Sequence, residues 1–410
     1  MARLLSLLAG AWLLGAAVAS AQSDAPAPAT RADALEAQRE ARERSLGTDP
    51  HNWLERTLFF VEDKHVIERL NPPEGAYPRL GSVTNGSGFG LGAGYRERTA
   101  GDRLLLDASG SWTYRDYKTI QARVVLRPVP TRPVELSAGS VWYDYTQEDF
   151  FGLGPASNRS DRVDYRLEGL DTYAQLQARK AGWLVLRGRI GRQRTNVTAG
   201  TDPRFPTLAT RFDEATAPGM SDPLTLFYAQ TSAGIDTRDQ PGNTRSGGLY
   251  DVTAALYRDR RGDHFDFTRL DLRALHVFPI FDKKRGFAVR AAASRIDPDG
   301  ASLVPFYLMP TIGGSDSIRS FRDFRFRDAT SVNFNAEYRW EAFSGLDLAL
   351  FVDAGDVGPS WHALVGDRLR TAWGGGFRFN TNRRVFLRID IADGREGLRL
   401  WVKFGPVFAR

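Results

Sequence analysis

Leu346-Asp347-Leu348-Ala349-Leu350-Phe351-Val352-Asp353-Ala354-Gly355 alternates residue by residue. Leu346, Leu348, Leu350 and Val352 fall on one side, and Asp347, Ala349, Phe351 and Asp353 on the other. Successive side chains of an extended strand point to opposite faces, so the stretch predicts a strand with one apolar face and one face bearing two carboxylates. The segment before it repeats the pattern: Val332, Phe334, Ala336, Tyr338 and Trp340 against Asn333, Asn335, Glu337 and Arg339. So does the one near the carboxyl end, where Val385, Leu387, Ile389 and Ile391 oppose Arg388 and Asp390. One face suits lipid, the other water or a polar plug.

Working outward, the same alternation, punctuated by turn residues, begins near Arg79 and continues to the end of the chain. We read about sixteen strands, an even number as single-chain bacterial barrels require. They span 79–85, 88–98, 102–116, 119–128, 133–147, 162–179, 183–197, 224–238, 247–259, 264–279, 285–296, 329–341, 345–357, 369–380, 384–392 and 397–408. If the amino end lies in the periplasm, the long connections 148–161, 198–223 and 297–328 all fall outside. The opposite connections are short, the asymmetry such barrels show. Aromatics gather near segment ends, at Trp112 and Tyr114, Trp142 to Tyr145, Trp183, Trp340 and Trp401 to Phe408, as interfacial girdles do. The expected fold is therefore all-β and transmembrane: a 16-stranded antiparallel outer-membrane β-barrel over 79–410, preceded by a short helical segment.

Met1 to Ala21 reads as a secretory signal, with Arg3, an apolar run from Leu4 to Val18 and the small residues Ala19-Ser20-Ala21. Residues 22–78 read as a linker with short helices, the second from Trp53 to Leu70 ending at Asn71-Pro72-Pro73. After the signal no apolar run approaches the roughly twenty residues of a membrane helix. The mean hydropathy of -0.36 does not exclude a barrel, whose strands are apolar on one face only. Cysteine is absent, which removes disulfides, thiolate metal sites and thiol nucleophiles. The formal charge is +6, with bases interspersed among acids rather than blocked; a polar lumen or anionic lipid headgroups account for this better than nucleic acid.

The chemistry-bearing stretch is Gly313-Gly314 followed by Ser317-Ile318-Arg319-Ser320-Phe321, on a long outer connection. Glu337 and Asp353 lie on the next two strands, both inward by parity. Guanidinium pairs with carboxylate through parallel hydrogen bonds, and a buried arginine is costly without such a partner. The pattern predicts that Arg319 bridges Glu337 and Asp353 and latches its loop inside the lumen.

These residues resemble the BamA/TamA superfamily of outer-membrane barrels. Ile318-Arg319-Ser320-Phe321 stands where the family carries Val/Ile-Arg-Gly-Phe/Tyr on an inward-folded loop, Gly313-Gly314 where it has a Gly-Gly pair, and Glu337 where it has an inward glutamate. Phe351, Asp353 and Gly355 match its Phe-x-Asp-x-Gly, and Asp236-Thr237-Arg238-Asp239 with Gly247 matches its turn after strand eight. Ser320 replaces the motif's glycine, so a positive φ there would suit this chain less well. The resemblance implies insertion or translocation of proteins at the outer membrane of a Gram-negative bacterium, with unfolded outer-membrane or secreted proteins as substrates. Residues 22–78 leave no room for the family's POTRA domains, so the resemblance is to a POTRA-less branch. It also implies a lateral gate between the closing strands. Gly405-Pro406 would weaken pairing there, and Phe408 corresponds to the family's terminal aromatic.

No enzyme, cofactor or metal site is expected: the five histidines are not at ligand spacing and no nucleophile elbow occurs. The partners expected are outer-membrane lipid, protein substrates and a periplasmic partner bound through residues 31–70. The alternative reading is a pore or passive solute channel.

Overall fold

The computed structural model describes residues 71–128, 133–262, 264–281, 283–364, 369–381 and 384–405. The expected signal (1–21) and the helices of the linker lie outside the described residues, as do Pro406 and Phe408. Eighteen strands follow in order: β1 (Gly75–Gly81), β2 (Gly90–Thr99), β3 (Leu104–Thr113), β4 (Lys118–Leu126), β5 (Val134–Phe150), β6 (Val163–Lys180), β7 (Leu184–Ala199), β8 (Leu224–Asp236), β9 (Gly247–Asp259), β10 (Phe267–Ile280), β11 (Arg285–Pro298), β12 (Thr311–Ile312), β13 (Phe326–Arg327), β14 (Thr330–Phe343), β15 (Leu346–Gly358), β16 (Arg370–Asn380), β17 (Val385–Gly394) and β18 (Arg399–Lys403). All but β12 and β13 form one antiparallel 16-stranded sheet in chain order, and those two pair inside the connection between β11 and β14. The antiparallel 16-stranded barrel is thus borne out.

Alternation places the side chains as expected. On β15, Leu350 and Val352 are 56% and 55% exposed on the lipid side, whereas Asp347 and Asp353 are buried. On β14, Phe334 points out while Asn333, Asn335 and Glu337 are buried. Turns at one end are short: 181–183, 281–284 and 344–345. Connections at the other end are long, reaching 200–223 and 299–329. The long ones pack on each other and on the strand tips. Phe150, Val163, Tyr165, Val197, Leu208, Ala217 and Phe306 form one buried cluster, and Leu224, Leu226, Phe267, Ile296 and Val304 a second. Inward apolar residues at the outer end therefore have loop side chains to bury against, which removes their surface from water.

The bounds of the first strand need correction. The first strand runs Gly75–Gly81 rather than 79–85. Pro78 lies within it and pairs with Ala93, because β1 is an edge, where a missing ladder donor is tolerated. Residues 82–85 instead belong to a turn, where Ser87 Oγ accepts from the amides of Val83 and Thr84. Among the described residues β1 and β18 are the two edges of the sheet, with no ladder between them, in the direction of the weak pairing expected at the closing strands.

Candidate functional site: an arginine clamp beside an open seam

The connection 299–329 turns inward through Gly313 and Gly314, at φ +110° and +99°. A Cβ on Gly313 would stand 2.3 Å from the Arg322 carbonyl oxygen, and one on Gly314 2.1 Å from Asp323 Oδ1. Only glycine meets both the dihedral and the close approach. The turn closes with the Gly314 amide donating to the Phe321 carbonyl at 3.1 Å and the Gly313 amide donating to Ser317 Oγ at 2.8 Å. Ile318 and Phe321 are buried with Ile312, Phe326, Val357 and Ala372, which anchors the apolar side of the tip.

Arg319 occupies the polar side. Its Nε and Nη2 donate to Asp353 Oδ2 and Oδ1 at 2.9 and 2.7 Å, and its backbone amide adds a third bond to Oδ2 at 3.1 Å. Nη1 donates to Glu337 Oε2 at 2.9 Å. The guanidinium lies 3.3 Å over the Phe351 ring, so Phe351 of the strand motif is a platform for the arginine's face. The carbonyl of Arg319 accepts from Trp401 Nε1 at 2.6 Å, and that of Ser320 from Arg399 Nε at 3.0 Å, both on β18. Burial works against the charge on Arg319, but Asp353, then Glu337 and Asp390, outweigh it and raise its pKa above the ordinary value.

The structure thus brings Arg319, Glu337 and Asp353 together, and it recruits groups that sequence reasoning left unassigned. Arg339 Nε donates to Glu337 Oε1 at 2.6 Å, and Arg378 Nη2 to Glu337 Oε2 at 3.0 Å. Arg378 Nη1 stands 2.6 Å from Asp390 Oδ1, and Asn335 Nδ2 donates to Asp353 Oδ1 at 2.8 Å. Arg319, Arg339 and Arg378 face Glu337, Asp353 and Asp390, so formal charges cancel within a buried cluster spanning β14 to β17. Strand parity sets Asp390 on the inward face and could have flagged Arg378 too, but not that Glu337 is the carboxylate Arg378 meets. A second pair pins the turn: Arg388 Nη2 lies 2.6 Å from Asp316 Oδ1. Burial opposes ionisation of Asp316, yet Arg388 and Lys403 prevail and hold its carboxyl below the usual range.

Ser320 does not carry a positive φ, so the feared backbone conflict does not arise. The space its side chain needs is supplied across the lumen by Gly394 of β17, where a Cβ would come within 2.3 Å of Ser320 Oγ. Gly355 makes room in the same way, for the tip of Ile318.

At the other end of the lumen, the turn after β8 reaches across to β15–β17. Arg238 forks onto Asp236, Arg245 Nη2 donates to Asp347 Oδ1 at 2.9 Å, and Asn243 Nδ2 donates to the Thr381 carbonyl at 3.0 Å. Among the described residues no group of histidines and carboxylates could hold a metal ion.

The seam differs from this wall. Gly81, the last residue of β1, sits beside Phe404, whose ring also meets Phe89 at 5.3 Å between centroids. β18, which ends just before Phe404, faces the 82–89 connection instead of a strand. Between them lies a cavity of about 730 Å³, bordered by Arg115, Asp323, Arg399, Trp401 and Lys403 among others. Gly405, at φ +110°, still donates its amide to the Phe386 carbonyl at 3.1 Å.

An antiparallel 16-stranded sheet, apolar outside and ionic inside, is an outer-membrane β-barrel. An outer loop clamped onto its inner wall narrows the class further. The chain belongs to the Omp85 superfamily: the model of the Omp85 superfamily domain matches residues 143–393, which hold the whole arginine–carboxylate cluster. Among solved structures, BamA from Haemophilus ducreyi lacking POTRA domains 1-3 is 14% identical, with a TM-score of 0.60, over 81% of this chain and 69% of that one. CdiB from Escherichia coli is 15% identical, with a TM-score of 0.52, over 82% of this chain and 63% of that one. The chain therefore spans less than two thirds of that CdiB, and both likenesses concern the fold. No curated protein matches the sequence. The expected resemblance to BamA/TamA-type barrels and the outer-membrane location in a Gram-negative bacterium are borne out.

Proposed function

We propose that this barrel assists insertion or translocation of proteins at the outer membrane, with the 299–329 loop latched in the lumen by Arg319 on Glu337 and Asp353. One observation carries the reading: the clamped loop tip also bonds β18, through Trp401 and Arg399, right beside a seam with no ladder among the described residues. A substrate strand needs unpaired edge amides and carbonyls to template on, and an edge strand offers them. The clamp holds β18 from the lumen side, so that its edge can be free without the strand being lost. Breaking a buried ion pair leaves uncompensated charge, which makes the latched position of the loop strongly preferred. A solute pore fits less well, because the loop and the turn after β8 both fill lumen space.

The test is depletion of the protein followed by an outer-membrane proteome, with complementation by the chain and by Arg319→Ala. Selective loss of another barrel or a secreted protein, restored by the chain but not by the variant, is the expected outcome. An unchanged proteome together with large, steady, ion-selective conductance in planar bilayers would assign the chain to the pore class instead.

A further inference from the structure

The lumen arginines meet carboxylates. On the lipid-facing side of the barrel a second arginine group does not. Arg189 and Gln193 of β7 point inward, to Asp171 at 2.6 Å and to the Tyr143 hydroxyl at 3.2 Å. Strand alternation therefore sends Arg192 and Arg194 outward, and both are exposed. Register sets Arg192 beside Phe227 of β8 and Phe227 beside Arg258 of β9. One step toward the outer rim, Arg194 pairs with Thr225, whose carbonyl accepts from the Arg260 amide at 3.0 Å. Arg192, Arg194, Arg260 and Arg261, with Pro223 and Thr225, line one cleft of about 400 Å³.

Among the described residues, none of these four guanidiniums has a hydrogen-bond or ion-pair partner. Among the described residues no carboxylate ion-pairs with these four: Asp299 pairs with Arg258 at 2.7 Å, Asp266 accepts from the Asp259 amide, Asp259 accepts from the Arg261 amide, and Asp222, next to Pro223, makes no ion pair with them. One step toward the periplasm the same face is apolar, with Ile190 64% and Leu256 48% exposed, flanking Ala229 in register. The cleft thus stands where the apolar belt gives way to the outer rim, at headgroup height. Like charges held together without an ion-paired acid among the described residues repel, so the arrangement calls for an anion supplied from outside. Guanidinium forks match the oxygens of phosphate.

We infer that this cleft binds the phosphate of a phosphorylated lipid of the outer leaflet, with its acyl chains lying on the Ile190, Phe227 and Leu256 surface. A free phosphate offers the same oxygens without the chains, so the experiment separates the two. The full chain in detergent is titrated with phosphatidic acid, phosphatidylcholine or inorganic phosphate and followed by native mass spectrometry. The expected result is preferential retention of phosphatidic acid, weakened at least about tenfold in R192Q/R194Q as two charge-assisted forks are lost. Barrel folding of each variant is checked by heat-modifiable gel migration. If R192Q/R194Q does not fold, R260Q/R261Q, altered in a loop, serves in its place with the same expectation. Equal retention by variant and parent, or equal retention of phosphatidylcholine, would overturn the inference. Displacement of phosphatidic acid by millimolar inorganic phosphate would overturn it in favour of a free-phosphate site.

Discussion

The wall formed by β14–β17 and the seam between β1 and β18 use opposite means of cohesion. The wall is registered along its length and tied across the lumen by Arg319, Arg339 and Arg378 on Glu337, Asp353 and Asp390. The seam, among the described residues, has aromatic contacts at Phe404 and a cavity above them. Buried charges are tolerable only when every partner is in place, so the wall is close to all-or-none. Apolar contacts at the seam can be made and broken one at a time. A barrel built this way keeps a rigid side on which its loop is held and a side that can yield.

The sharpest way to break the comparison is Arg319→Ala. It leaves Glu337 and Asp353 buried with fewer partners, and we expect a loss of about 3–5 kcal/mol in loop docking. Protease cleavage within 299–329 in intact cells should rise steeply. Unchanged protection would mean the loop is held by its other contacts, Ile318 and Phe321 and the Arg388–Asp316 pair. Asp353→Asn keeps an acceptor but loses the ionic fork, and should cost less, about 1–3 kcal/mol. Its measure is the denaturant midpoint of heat-modifiable migration.

The seam is tested by Gly81→Cys with Phe404→Cys. An ideal Cβ on Gly81 stands 3.5 Å from that of Phe404, within disulfide range. The chain has no other cysteine. Gly81 has φ +119°, so the single Gly81→Cys variant is the control for backbone strain. Oxidation should abolish function in the depletion assay and leave loop protection intact. Full function with the bond formed would dismiss an opening seam at this point.

Gly394→Ala probes the wall more gently. The new methyl would meet Ser320 Oγ, and a cost of about 1–3 kcal/mol is expected. Ser320→Gly should recover part of it, since the methyl still meets the Thr371 carbonyl oxygen, and a double-mutant cycle without coupling would sink the packing account.

The smallest effect concerns Asp323, where the loop tip borders the seam cavity. Burial, opposed by Lys403, pushes its pKa up to about 6. A carboxyl with a raised folded pKa holds its proton more readily in the docked state. Docking should therefore tighten as pH falls from 7.5 toward 5, and Asp323→Asn should flatten that dependence. Protease protection across this range is the readout; protection that weakens on acidification contradicts it.

Much of this was legible in the chain. Alternation around Leu346–Gly355 fixed the strands because period two is a local property of extended backbone, read from neighbours alone. Arg319, Glu337 and Asp353 were legible too, through parity and the resemblance. The edge at Pro78 was not, because whether a proline is tolerated depends on which side of a strand lacks a partner. Arg339 and Asp390 showed as inward residues without showing which charges they neutralise, and Arg378 was not singled out. Ser320 looked like a liability because the glycine that accommodates it, Gly394, lies on another strand.

The sequence by itself determined the number of strands, their faces, and the arginine with its two carboxylates. The tertiary structure decided how charges are shared across β14–β17, how β18 is held from inside, and that Gly81 meets Phe404 while β18 itself faces a cavity. Those outcomes depend on how strands stagger around a barrel. Stagger is a sum over all the ladders, so no local stretch of sequence contains it.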